Sequence, residues 1–165
     1  MNILKKTGKA YFAGGCFWGV QYYFDKLPGV EKTTVGYMGG EKPEPNYQEV
    51  CAHTTGHLEA LEIIYDASKT NFETLCKYFF EIHDPTQKNG QGPDIGEQYL
   101  SAVFAVDDEQ RIITEKLIGI LKEKGFDVVT KILSSGEFWS AENYHQKYYE
   151  KNGHEPYCHF YTKRF

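Results

Sequence analysis

The chain has no CxxC pair, although it contains four cysteines among its 165 residues. Cys16, Cys51, Cys76 and Cys158 are instead far apart along the sequence. In a reducing compartment, such spacing is typical of free or catalytic thiols rather than of a structural disulfide framework. The sequence therefore favours thiol chemistry over disulfide stapling.

Standard zinc spacing is also missing. His53 and His57 stand near Cys51, and His154 and His159 flank a second cysteine, but neither set matches a known zinc motif. We therefore expect no metal site.

Long apolar runs and basic clusters are absent as well. No segment has the length and apolarity of a signal peptide or membrane span, and the cationic start, residues 1–9, is followed by none. A formal net charge of −5 argues against general affinity for nucleic acid or anionic lipid. We expect a cytoplasmic monomer that binds neither nucleic acid nor membrane. With no internal repeat visible, the length predicts a single domain over 1–165.

The most informative segment is Gly14-Gly15-Cys16-Phe17-Trp18-Gly19. Glycines let the backbone bend tightly and approach a bound molecule. A thiol at a helix N-terminus is biased toward the thiolate by about 0.3 to 1 kcal/mol, which is too little to ionise it fully. The pattern predicts a catalytic thiol, while a small buried cysteine and two ordinary core aromatics remain the alternatives.

The hydrophobic pattern predicts strands, helices and loops in the order βαββαβ up to residue 106. This order is typical of an α+β, two-layer ferredoxin-like fold with helices on one face of a mixed sheet, here with an extra C-terminal helix and strand and an irregular tail. We expect 152–165 to be a mobile tail. The predicted strands are 9–13, 30–37, 58–66, 99–106 and 128–133, the helices 18–27, 71–83, 108–124 and 141–151, and the long loops 41–56 and 84–96.

Further segments follow the cysteine motif in order. They are Val35-Gly36-Tyr37, Asn46-Tyr47, Gly56-His57-Leu58-Glu59-Ala60, His83-Asp84-Pro85-Thr86-Gln87, Asp94-Ile95-Gly96-Glu97-Gln98-Tyr99 and Asn143-Tyr144-His145-Gln146. Together with that motif, they resemble the type A peptide methionine sulfoxide reductases over nearly the whole chain.

The resemblance implies an enzyme that reduces the S epimer of methionine sulfoxide, free or within proteins, and so repairs oxidative damage. It also implies that the enzyme needs no metal or organic cofactor. It implies that Cys16 is the nucleophile and Glu59 the proton donor. The substrate-binding residues that it implies are Phe17 and Trp18 for the methyl group, Tyr47 and Tyr99 for the sulfoxide oxygen, and Asp94 for positioning.

The chain departs from the family pattern in three places. Gln21 stands where many members have Glu, and Leu100 stands where Arg is common. The tail also lacks the Gly-rich stretch with a further cysteine that some members use in recycling. The first two departures leave the reaction type intact, whereas the third limits how the enzyme can be recycled.

Glu59 also fits the donor role on its own chemistry. Strand alternation places it on the same face as Leu61, Ile63 and Tyr65. Burial beside apolar side chains raises a carboxyl pKa and keeps the group protonated near neutral pH. The alternative for Glu59 is an ordinary surface position on the strand. The alternatives for Tyr47, Tyr99 and Asp94 are turn or capping roles.

Reduction of a sulfoxide by a thiol produces a sulfenic acid, which a second thiol can capture as a disulfide. Cys158 is the best candidate, because its segment contains Gly153 and Pro156 and because it aligns with the resolving position of the family. Cys76 on a core helix and Cys51 beside polar residues suit the task less well. Thioredoxin would then reduce the disulfide.

Two other classes of function stay open. A non-catalytic module could hold methyl-sulfur groups in the same aromatic pocket, and a metal-binding regulator is a more distant alternative. The resemblance assigns no role to Tyr144 and His145. We expect both to serve structure or hydrogen bonding near the pocket.

Overall fold

The structure, a computed structural model, describes residues 6–165. The first residues of the cationic start, 1–5, lie outside this range. The strands are β1 (Thr7–Gly14), β2 (Val30–Met38), β3 (Leu58–Asp66), β4 (Gly90–Gln91), β5 (Asp94–Ile95), β6 (Ser101–Ala105), β7 (Lys131–Ser134) and β8 (Trp139–Ser140). The α-helices are α1 (Phe17–Phe24), α2 (Tyr47–Cys51), α3 (Phe72–Ile82), α4 (Asp108–Glu123) and α5 (Tyr148–Asn152), with 3-10 helices at Glu97–Tyr99 and Asn143–His145.

Within the described residues, six strands form one sheet in the order β7-β6-β1-β3-β2-β8. The central order β6-β1-β3-β2 is antiparallel throughout, as the βαββαβ pattern predicts. At one edge β7 pairs parallel with β6, and at the other β8 pairs antiparallel with β2. The predicted mixed sheet of ferredoxin-like topology is confirmed.

Strand alternation sends one set of side chains toward the helices. Phe12 on β1 is fully buried and its ring lies 4.7 Å from that of Phe79 on α3, with the rings of Phe24 and Phe72 also stacked near it. Apolar residues of α1, α3 and α4 belong to the same buried cluster. Neighbours along β1 point the other way, into a smaller cluster that includes Tyr11 and Ala13. The helices therefore share one face of the sheet.

Several sequence-based boundaries are wrong. Side-chain hydrogen bonds explain the error in 41–56 and, as described below, the one in 141–151. The predicted loop 41–56 contains α2, because Asn46 and Glu49 form a reciprocal capping box. The predicted loop 84–96 contains the β4–β5 hairpin, and the strand predicted from residue 99 begins only at Ser101.

The predicted helix 141–151 is also wrong. It is replaced by a 3-10 turn and the short α5, and β8 precedes them. The Gln146 side chain donates to the Val35 carbonyl at 2.9 Å and accepts from the Val35 N–H at 3.0 Å, so it mimics a strand partner. Lys147 then takes a left-handed conformation with φ of 56°. These two features stop a continuous helix.

The tail is irregular after Gly153, as predicted. It packs on the end of α3, where the Thr162 N–H donates to the Glu81 carbonyl at 2.7 Å and the Arg164 side chain to the Phe80 carbonyl at 2.8 Å. The mobility of this segment stays a prediction. Over 6–165, none of the helices combines the length and apolarity needed to cross a membrane.

Candidate active site

Cys16 lies at the N-cap of α1, two residues after the end of β1. The turn depends on Gly15, whose φ is +91° and whose missing Cβ would lie 2.4 Å from the Cβ of Gln91. Any other residue at position 15 would be strained and would collide with the β4–β5 hairpin. The sequence therefore places the thiol at a tight bend against that hairpin.

The Cys16 thiol is buried, with 6% of the residue exposed. Its contact with Cys158 raises its pKa well above the ordinary value, and burial adds to this effect. The Trp18 backbone N–H, which is part of the helix N-terminus, lowers the pKa, but it does not prevail. The expected bias toward the thiolate is thus outweighed, because the local helix effect is small beside desolvation and a neighbouring thiol.

Glu59 lies on β3, on the face that carries the helices, together with the buried Leu61 and Ile63. Its Oε1 accepts the Phe17 backbone N–H at 3.2 Å, which ties the carboxyl to the turn that holds the thiol. Only 1% of Glu59 is exposed, and its buried Oε2 has no hydrogen-bond partner among residues 6–165. One carboxyl oxygen is therefore fixed and the other is free to act on a ligand.

The pKa of Glu59 is well above its ordinary value. Burial is the main cause, and the nearby charges of the Cys16 thiolate and Asp94 add to it, while the Phe17 N–H opposes them. The buried site therefore favours the protonated carboxyl, which can donate a proton.

Cys158 comes from the tail and is 3% exposed. Its Sγ, the Cys16 Sγ and a carboxylate oxygen of Asp94 all lie within 4.8 Å of one another, and neither cysteine is disulfide-bonded within the described part of the chain. These three groups, rather than the histidine sets noted in the sequence, are the donors that could hold a soft metal ion. Asp94 also accepts a hydrogen bond from the Tyr157 hydroxyl at 3.2 Å.

Aromatic side chains form the wall next to the thiol. Phe17 is 1% exposed and packs against Tyr37, with 5.8 Å between ring centroids. Trp18 is half-buried and stacks on Tyr148 at 3.7 Å. The structure therefore places the two predicted methyl-pocket residues differently, one in the core and one at the surface.

Tyr47 and Tyr99 reach the site from α2 and from the end of a 3-10 helix. Burial raises the pKa of both hydroxyls, and the charge of Glu59 contributes to each shift. Both phenols accordingly keep their protons at neutral pH and can donate hydrogen bonds. The structure thus brings the other seven predicted site residues near Cys16 or Glu59.

His145 and Glu142 form hydrogen bonds with residues that line this site. His145 is fully buried, and its Nδ1 accepts the Trp18 indole N–H at 3.0 Å. Glu142 accepts from the Tyr37 hydroxyl at 3.0 Å and from the Tyr47 N–H at 3.2 Å. Because burial lowers the pKa of His145, the ring stays neutral and can accept the indole proton. The expectation of hydrogen bonding by His145 near the pocket is confirmed.

Glu142 is a residue that the sequence reasoning missed. Its only signal was its place directly before the Asn143-Tyr144-His145-Gln146 segment. Burial raises its pKa, but the hydrogen bonds that it accepts outweigh burial and lower the pKa overall. Glu142 therefore stays ionised, unlike Glu59.

The remaining cysteines differ in their access to the site. Cys76 is fully buried in α3 and its thiol contacts the Thr114 hydroxyl at 3.8 Å, with burial raising its pKa to about 12. Cys51, at the end of α2, is half-buried and lies within reach of the Tyr47 hydroxyl. Cys76 is thus excluded from contact with the other thiols by the core around it.

Gln21 has a structural reason to be an amide. Its Nε2 donates to the Thr33 hydroxyl at 3.1 Å and its Oε1 accepts the Lys147 N–H at 2.8 Å. A buried group that must both donate and accept suits a neutral amide.

Comparison with known proteins agrees with this arrangement. Residues 8–165 match the family model described as peptide methionine sulfoxide reductase. The chain is 48% identical over 150 residues to the peptide methionine sulfoxide reductase MsrA of Nautilia profundicola, covering 91% of this chain and 87% of that protein.

Solved structures are similar too. The reduced form of Mxr1 from Saccharomyces cerevisiae superposes with a TM-score of 0.87 at 32% identity, covering 94% of this chain and 92% of that one. Mxr1 in complex with Trx2 has a TM-score of 0.63 at 22% identity, covering 97% and 95%, which by itself indicates a shared fold. The order of the motifs, the sheet topology and these matches lead to one conclusion: this chain belongs to the type A peptide methionine sulfoxide reductases.

Proposed function

We propose that this methionine sulfoxide reductase acts on the S epimer, free or within proteins, through a Cys16 sulfenic acid that Cys158 resolves. The observation that carries the proposal is the approach of two unbonded thiols to within 4.8 Å of each other, next to a buried carboxyl. The type A similarity supports the choice of epimer and a role in repairing oxidised proteins.

In the first step, the Cys16 sulfur attacks the sulfur of the sulfoxide while Glu59 protonates the sulfoxide oxygen. The hydroxyl ends on Cys16 as a sulfenic acid, the thioether leaves, and the thiol proton restores the Glu59 carboxyl. Because both groups are protonated at rest, binding of the polar sulfoxide must help to form the nucleophile. Proton transfer of this kind contributes about 10² to 10⁴ in rate.

The surrounding side chains bind the substrate in this scheme. Phe17 and Trp18 contact the methyl group, and the Tyr47 and Tyr99 hydroxyls donate to the sulfoxide oxygen. Asp94 orients the rest of the substrate from the rim, where it is half-buried.

In the second step, the Cys158 sulfur attacks the sulfenic acid sulfur and water leaves. The resulting disulfide is exchanged with the dithiol of thioredoxin through a mixed disulfide. The structure of Mxr1 with Trx2 offers a precedent for such a partner in a protein of the same fold.

The first experiment measures NADPH-coupled reduction of the separated sulfoxide epimers with thioredoxin and its reductase. Turnover of the S epimer is expected, and turnover of the R epimer alone would contradict the proposal. Cys16→Ser should abolish turnover. A non-catalytic binding module would show no turnover in the wild-type protein and would retain its ligand in this variant.

The second experiment tests recycling. Cys158→Ser should release one methionine per protein and then stop, whereas Cys76→Ala, the matched control, should cycle with thioredoxin like the wild type. Continued cycling of Cys158→Ser at the wild-type rate would assign the resolving step to another thiol.

A further inference from the structure

One buried titratable group next to the thiols has no task in the steps above. His159 is 1% exposed and follows directly after Cys158. Its Nδ1 lies 3.1 Å from the Cys158 Sγ, and its Nε2 lies 2.6 Å from the Gly14 carbonyl oxygen. The ring therefore bridges the tail thiol and the turn that carries Cys16.

The two contacts determine which ring nitrogen carries the proton. A carbonyl oxygen can only accept, so the Nε2 proton is donated to Gly14. Burial lowers the pKa of His159 and favours the neutral ring, whose Nδ1 then holds a lone pair. The only hydrogen available for the contact at Nδ1 is that of the Cys158 thiol.

The cysteine motif itself makes room for this ring. A Cβ at Gly19 would lie 2.2 Å from the His159 Nδ1, so any larger residue at position 19 would push the ring out of place. The His159 ring in the tail, rather than the substrate pocket, thus explains why glycine is needed at position 19.

We infer that His159 is the base that removes the proton from Cys158 when this thiol attacks the Cys16 sulfenic acid. The inference rests on the proposed function, because it concerns its second step. The thiol proton passes to Nδ1, the Cys158–Cys16 bond forms, and the sulfenic S–O bond breaks. The hydroxyl takes a proton from Glu59 and leaves as water, and the imidazolium proton then returns to that carboxyl through solvent. The Cys158 sulfur is oxidised and the sulfenic sulfur reduced, and the thiol hydrogen and the hydroxyl account for one water.

The alternative is a ring that only holds the tail in place. The two roles differ in their response to pH, since a base matters only while the thiol is protonated. The titratable groups that face the ring are Cys158 itself, Asp94 from β5 and His83 at the end of α3. A change confined to His159 leaves those groups present.

The experiment mixes reduced protein with one equivalent of the S epimer of methionine sulfoxide. Sulfenic acid and disulfide are followed over time by dimedone trapping, alkylation and mass spectrometry. In His159→Gln, disulfide formation should be about 100-fold slower than in the wild type at pH 7. The deficit should shrink at higher pH, where hydroxide can remove the thiol proton in place of the ring. His154→Gln, a change of an exposed histidine in the same tail, should match the wild type.

Equal disulfide rates in His159→Gln and wild type at pH 7, or an equal deficit at every pH, would overturn the inference. Absence of a sulfenic acid in the wild type would instead overturn the proposed function and this step with it, so the two failures are distinguishable. Should His159→Gln not fold, ring nitrogen NMR of the reduced wild type decides. A proton on Nε2 and none on Nδ1 supports the inference, and the reverse refutes it.

Discussion

Replacing Glu59 by Gln removes the acidic proton and keeps nearly the same side-chain shape. A glutamine can keep the Oε1 acceptor for the Phe17 N–H, and its amide takes the place of Oε2, which has no hydrogen-bond partner in the described residues. The amide cannot supply a proton to a sulfoxide. The single-turnover rate of sulfenic acid formation should therefore fall by about 10² to 10⁴, with a much smaller change in substrate affinity.

The same substitution should stabilise the protein, and the gain should depend on pH. The pKa of Glu59 is raised in the folded state, so above pH 4.5 the folded protein holds a proton that the unfolded chain has lost. Stability then decreases as pH rises, by up to about 1.4 kcal/mol per pH unit, until the folded-state pKa is passed. The glutamine variant has no such loss.

Between pH 5 and pH 7 the advantage of the variant in free energy of unfolding should consequently grow by up to about 2.8 kcal/mol. For a chain of this size, that corresponds to roughly 6 to 11 °C in melting temperature. Urea unfolding of both proteins at half-unit pH steps measures the difference, and effects of other titrating groups largely cancel in it.

Parallel stability curves over this range would refute the reasoning, because they would mean that the buried carboxyl is not protonated in the folded protein. Equal single-turnover rates would remove Glu59 from the donor role even if the stability result held.

Three other perturbations test the support of the site and core. Trp18→Phe removes the indole donor to His145 and leaves that buried ring without the one hydrogen bond that it makes to residues 6–165, so kcat/KM for methionine sulfoxide should fall about tenfold; an unchanged value would show that the bond does not organise the pocket. Burial lowers the pKa of His83 to about 3, so its contribution to stability is complete above pH 6.5 and is lost as pH falls toward 3; between pH 7 and pH 5 the wild type should lose up to about 2 kcal/mol more than His83→Gln in urea unfolding, and equal losses would contradict the neutral ring. Phe12→Ala should lower the free energy of unfolding by about 3 to 5 kcal/mol, as measured by chemical denaturation, because three rings stack around that side chain; a loss below 1 kcal/mol would mean that the core closes over the cavity.

The order of the main elements could be read from local patterns. Leu58–Asp66 forms the predicted strand without a shift of either end, since its alternation and its flanking polar residues are local properties. The failure at 141–151 has the opposite origin. There, Gln146 bonds to Val35 on a distant strand, and no pattern within the segment reveals that partner.

The candidate site, too, could be predicted only in part from local sequence. The glycines around Cys16 and the ordered motifs pointed to the thiol and to Glu59, because these features are carried by residue type and spacing. The pKa direction of Cys16 was beyond such reasoning, since it is set mainly by Cys158 and by burial. The role of Glu142 as an acceptor for two tyrosine segments was likewise invisible.

By itself, the sequence determined the order of the main strands and helices, which thiol stands at the bend and which family the motifs resemble. Only the tertiary structure decided that Cys158 and His159 are buried against that bend, that Glu59 keeps its proton and that Glu142 does not. The reason is physical: chain-local preferences act over a few residues, whereas desolvation and the partners of a buried polar group depend on segments that meet only after folding.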